Sequence, residues 1–108
     1  MTLQELRKKY IGKTLNVDDL DDDISMYTDE NGKHIHIRTG DEYVYEAYAD
    51  LDEGNKIIRI SRMTCRRLVG DEATHVNYEP CRVNADDYDM LDMCLEFSIV
   101  GDSDEDIL

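Results

Sequence analysis

Asp89, Asp92 and Glu96 recur three and four residues apart near the C-terminal end of the chain. On an α-helix this spacing gathers them in one row, with axial steps of roughly 5 Å. Like charges so placed cost about 0.2 to 0.5 kcal/mol each, and no base stands nearby in the sequence to relieve them. A role outside helix stability is therefore expected of the row. Its repeat is comparable with the roughly 3.4 Å per phosphate along one nucleic-acid strand. A carboxylate stripe of this kind can occupy a protein groove built for a phosphate backbone. The competing reading is an acidic face that only keeps a small protein dissolved.

The other chemistry-bearing residues give less. His34 and His36 share one face of a strand, but no third metal ligand follows at a useful spacing. The Asp-rich run from Asp18 to Glu30 lacks the ordered ligands and central glycine of a calcium loop, and Asp50-x-Asp52-x-Gly54 fails likewise. Cys65, Cys81 and Cys94 are odd in number, widely spaced and without a C-x-x-C pair. They read as buried reduced thiols of a cytoplasmic protein. Pairing one of them with His75 makes a poor nucleophile, since acidic surroundings raise a thiol pKa. No phosphate-binding or nucleophile-elbow motif occurs. The expectation is no enzyme, no catalytic residue, no metal and no cofactor.

Composition narrows the partner. The 108 residues suffice for one hydrophobic core, and 26 Asp and Glu against 12 Lys and Arg give a net charge of −14. Direct binding to nucleic acid is not expected. No apolar run approaches the roughly 18 residues that span a bilayer, and none follows the basic residues Arg7 to Lys9, so neither membrane insertion nor secretion is expected. The charge lies in blocks: +3 over residues 1–14, −11 over 15–55, +5 over 56–67 and −11 over 68–108. The basic block, with Lys56, Arg59, Arg62, Arg66 and Arg67, is expected opposite the acidic face of a neighbouring strand.

These residues must be positioned by a small set of elements. Thr2 with Glu5 forms a capping box, and Leu3, Leu6 and Tyr10 recur at helical spacing up to Ile11 and Gly12. Asn16 to Asp23 reads as a solvated loop. Alternating residues then predict strands from Ile24, turning at Asn31-Gly32, and over His34 to Arg38. A third strand puts Tyr43, Tyr45, Ala47 and Ala49 on one face and Glu42, Glu46 and Asp50 on the other. A single fourth strand is expected over Lys56 to Arg67, bulged between Ile60 and Met63. A turn over Leu68 to Glu72 leads to a weaker fifth strand around Thr74 to Tyr78, ended by Pro80. Asn84 caps a second helix with Tyr88, Leu91, Leu95 and Ile99 as its buried stripe. Residues 101–108 form a flexible acidic tail.

The fold class is thus α+β: a four- or five-stranded antiparallel sheet with an N-terminal and a C-terminal helix packed on one face, in one domain over residues 1–100. Its core draws on Leu6, Ile35, Ile37, Tyr43, Tyr45, Ile58, Ile60, Leu91 and Leu95. In size, acidity and lack of catalytic pattern the chain resembles the inhibitors that phages and plasmids direct against nucleases. The leading functional expectation is an acidic inhibitor, acting in the cytoplasm as a nucleic-acid mimic. Its partner is a basic nucleic-acid-binding protein such as a CRISPR effector or restriction enzyme. The contact residues are Asp89, Asp92 and Glu96, helped by Asp18, Asp19, Asp21, Asp22, Asp23, Glu42 and Glu46. Two alternatives stand beside it. One is a regulatory module that binds through an apolar or sheet-edge surface, its acidity serving solubility. The other is a small-molecule or metal-binding domain using the tyrosine-lined sheet with His34 and His36.

Overall fold

The computed structural model describes residues 1–72 and 75–100. The Thr2 hydroxyl accepts from the Glu5 N–H at 3.1 Å, and the Glu5 carboxylate accepts from the Thr2 N–H at 2.7 Å. This reciprocal cap starts helix α1 (Leu3–Tyr10), whose buried residues, Leu6 and Tyr10, lie one turn apart. Gly12, at φ +97°, turns the chain out of the helix.

Six antiparallel strands follow, β1 (Ile24–Asp29), β2 (Gly32–Thr39), β3 (Tyr43–Leu51), β4 (Ile57–Ile60), β5 (Thr64–Glu72) and β6 (His75–Cys81). Their spatial order is β1-β2-β3-β5-β6, with β4 also paired to β3. The Asn31-Gly32 turn sets Asp29 opposite Gly32, and Asn31 donates its N–H to Asp29. The single fourth strand expected over residues 56–67 is two strands, both on β3. At the break, Ser61 donates its N–H to the Tyr48 carbonyl at 2.7 Å and its hydroxyl accepts from the Tyr48 N–H at 2.9 Å. Met63 then donates its N–H to the Tyr88 hydroxyl at 3.1 Å. Ile60 and Met63 are three positions apart, an odd step that would put them on opposite faces of one strand, yet both are buried, because the chain leaves the ladder between them.

Two further expectations change. Residues 68–72 form no turn but continue β5, paired with β6 down to Glu72 opposite His75. Nor does Pro80 end β6, which runs to Cys81, since an edge strand tolerates a residue without an N–H. Thr74 and the tail 101–108 lie outside the described residues. Cys65 and Cys81 are not free thiols. They face each other directly in the β5–β6 register and form a disulfide with Cα atoms 5.3 Å apart. Their sequence separation of 16 gave no sign of this alignment. Cys94 is the free, buried cysteine.

A 3₁₀ turn (Ala85–Asp87) precedes helix α2 (Tyr88–Ser98), which therefore starts later than a cap at Asn84 predicts. The Asp87 carboxylate accepts from the Asn84 N–H at 2.8 Å. Both helices lie on one sheet face. Leu6 and Tyr10 of α1, Tyr88, Leu91 and Leu95 of α2, and Ile35, Ile37, Ala47, Ala49, Ile57 and Ile60 of the sheet share one buried cluster. Tyr43 and Ile58 are exposed rather than in the core, and Tyr45 is half-buried. A bulge pairs Leu51 with Ile57 after Asp50 with Arg59, skipping Ile58 and sending it to solvent.

Candidate partner-binding surface

The carboxylate row exists, and the Met1 amine and α1 supply partners to it. Asp89 accepts from the Met1 amine at 3.0 Å. Asp92 accepts from Lys9 Nζ at 2.9 Å and from the Tyr10 hydroxyl at 2.5 Å, and Lys9 lies 3.6 Å from Glu96. The sequence reading that no base relieves the row is thus corrected: the base comes from residues more than 80 positions away. Burial opposes the Asp92 charge, yet the hydrogen bonds from Tyr10 and Lys9 hold its carboxyl below the usual range. Those bonds in turn raise the pKa of Lys9, and burial followed by the Asp92 bond raises that of Tyr10. Asp92 is a bracket between helices. Asp89 and Glu96, with side chains 62% and 59% exposed, still present oxygens to solvent, and such exposed pairs are weak.

The Asp18–Asp23 loop folds against the other flank of α2. Asn16 donates its N–H to the Ser98 carbonyl at 2.7 Å, and Asp21 donates its N–H to the Ser98 hydroxyl at 2.8 Å. Leu15 bridges Ile99, and Val100 donates to the Thr14 carbonyl. Asp21, Asp23 and the Cys94 sulfur come within 4.8 Å of one another. Burial, then the nearby Asp21 and Asp23, push the Cys94 thiol up to about 11, so it keeps its proton and points at Asp23 at 4.0 Å. Asp18, Asp19 and Asp22 are exposed.

Two acidic segments far apart in sequence therefore form one helical layer. Residues 1–23 and 84–100 hold eleven Asp and Glu against four Lys and Arg, whereas residues 24–83 hold eleven against eight. The respective net charges are −7 and −3. Glu42 and Glu46 do not join this layer. Glu46 is half-buried on the uncovered sheet face, where it accepts from Arg66 at 2.6 Å and pairs with His36 at 2.9 Å. Glu42 lies at the β2–β3 turn, lining an open depression of about 660 Å³ with Asp23, Arg38 and Tyr78. As expected, part of the basic block does face β3: Arg59 lies 3.5 Å from Asp50, and Arg66 pairs with Glu46.

The same uncovered face holds both strand histidines. His34 stacks on Tyr27 and His36 on Tyr48. The His34 ring reaches Asp50 through Nδ1 at 2.9 Å and Asp29 through Nε2 at 2.7 Å. The Asp50 and Asp29 hydrogen bonds raise its pKa. A folded-state pKa above the unfolded value of about 6.5 contributes stability fully below that value, which is lost as pH rises through the folded one. Between about pH 6 and pH 9 the melting temperature should therefore fall more for the wild-type chain than for His34→Gln. Parallel curves would show that the triad carries no linkage.

Sequence reading missed the apolar residues of the same helix. With Tyr88, Leu91 and Leu95 facing the core, Met93 and Phe97 stand one turn apart on the outside, 59% and 69% exposed. They lie between the Asp89–Glu96 row on one flank and the Asp18–Asp23 loop on the other. Exposed Val17 follows Asn16, which is bonded to Ser98, beside Phe97. The signal was present as apolar residues off the buried stripe, and Phe97 is the only phenylalanine. No helix among the described residues is long and apolar enough to cross a membrane. Comparison with protein-family models, curated proteins and solved structures finds no match.

Proposed function

We propose that the chain is a non-catalytic inhibitor that binds a basic nucleic-acid-binding protein, such as a bacterial defence nuclease, through its helical layer. The observation that supports this reading is the joining of two acidic segments, 77 positions apart at Asp21 and Ser98, into one surface of net charge −7. Exposed Asp18, Asp19, Asp22, Asp89 and Glu96 would stand where phosphates stand. Asp92 would hold the surface together rather than touch the partner. Binding would exclude nucleic acid by occupying its channel, with fast association steered by charge. Such a target places the chain in the cytoplasm.

Inhibition of purified CRISPR effectors and restriction nucleases tests this, comparing wild type with an Asp18→Lys, Asp22→Lys, Glu96→Lys triple variant. Wild-type affinity for the inhibited enzyme should fall at least about tenfold between roughly 50 and 200 mM salt, as in phosphate recognition. The variant should lose at least about a hundredfold, near 2.7 kcal/mol. Inhibition indifferent to both salt and charge reversal would remove the acidic layer from the contact. That result would favour the regulatory module with an apolar contact, a reading to which exposed Met93 and Phe97 also lend themselves.

A further inference from the structure

We infer that the helical layer fits a single-strand-binding groove, one that is basic and lined with aromatic side chains, rather than a site for duplex nucleic acid. The inference rests on the proposed acidic contact and specifies its target. A duplex offers an approaching protein its phosphates, with the base faces stacked inside. A single strand offers phosphates and base faces together, and its binding sites combine a positive groove with stacking platforms. The α2 surface carries both components. Met93 and Phe97, about 6 Å apart along the helix axis, form an apolar ridge with more than half of each residue exposed. Carboxylates flank it on both sides, Asp89 and Glu96 on one and the Asp18–Asp23 loop on the other.

Charge complementarity selects the occupant. A layer of net charge −7 repels a second copy of itself, which argues against self-association as the reason for the ridge. An apolar partner surface without bases would leave the flanking carboxylates desolvated and unpaired. A groove with a Lys and Arg rim and aromatic side chains along its floor meets both demands: the bases pair with the carboxylates, and the aromatic floor receives Phe97 and Met93 in place of bases. Stacking of this kind is worth about 1 to 3 kcal/mol per base, roughly a five- to 150-fold change in affinity per group.

The test uses the full chain at low salt against two purified proteins. One is an OB-fold single-strand DNA-binding protein holding labelled oligo-dT, and the other a helix-turn-helix repressor holding a labelled duplex operator. The wild-type chain should displace oligo-dT and leave the duplex bound. A Met93→Ser, Phe97→Ser variant should need at least about tenfold more protein, with unchanged salt dependence and melting temperature. An Asp22→Asn, Glu96→Gln variant should flatten the salt dependence. Equal displacement of both ligands, with the serine variant as potent as wild type, would overturn the inference while sparing the acidic contact. Displacement of neither would overturn the inference, while the acidic contact would still be decided by the nuclease assays. Concentration-dependent dimerisation lost in the serine variant would assign the ridge to a second copy and likewise overturn the inference.

Discussion

Leu95→Ala should lower the unfolding free energy by about 3 kcal/mol, within the roughly 2 to 5 kcal/mol seen for such truncations in packed cores. Leu95 is fully buried in the cluster that joins α2 to the sheet. The strand residues of the same cluster, Ile35 and Ile37 among them, are held by the sheet's hydrogen bonds and cannot collapse freely into the space left behind. For a domain of this size about 1 kcal/mol corresponds to roughly 4 to 8 °C, so the melting temperature should drop by about 12 to 24 °C. Urea denaturation with an unchanged m-value would confirm a loss of packing rather than of compactness. A drop below about 1 kcal/mol would mean that α2 is loosely seated.

Gly40→Ala should be at least as damaging, at or beyond about 3 kcal/mol, the upper end of ordinary single substitutions. Gly40 ends the β2 ladder at φ +99°, a region where a side chain is strained. A Cβ there would also collide with the Tyr43 carbonyl oxygen, a backbone atom that cannot rotate aside. The β2–β3 turn must re-form or the ladder must open, which would also disturb the depression lined by Glu42 and Asp23. Gly12→Ala is the matched control, since its φ of +97° is similar but its Cβ would meet nothing within 4 Å. Melting curves should show the Gly12 variant losing far less. Equal losses would leave the backbone torsion, not the collision, as the whole cause.

Much of this architecture was legible in local chemistry. The Thr2 and Glu5 cap, the Asn31-Gly32 turn and the alternation through β2 each encode their element within a few residues, and each appears as read, whereas β3 forms where expected but with Tyr43 exposed and Val44 buried. Failures arose where a contact with distant residues decides. The parity change at Ile60 to Met63 suggested a bulge, but only Tyr48 and Tyr88 reveal why the chain leaves the ladder there. Hairpin register, not spacing, brings Cys65 to Cys81. The site was legible in part for the same reason. The Asp89, Asp92 and Glu96 spacing gave the row correctly, while Lys9, which answers it, sits on another helix. The ridge is encoded in the α2 pattern alone, as Met93 and Phe97 standing off the buried stripe of Tyr88, Leu91 and Leu95.

The contacts between α1, the acidic loop and α2 join residues 77 to 88 positions apart. Forming them closes nearly the whole chain into a loop, with a correspondingly large loss of chain entropy, and such non-local contacts slow folding. A nascent chain has no assembled acidic layer while residues 84–100 remain inside the ribosome. Under the proposed function, recognition by a partner would double as a reading of completed folding, because unfolded copies carry the same carboxylates without the surface that arranges them.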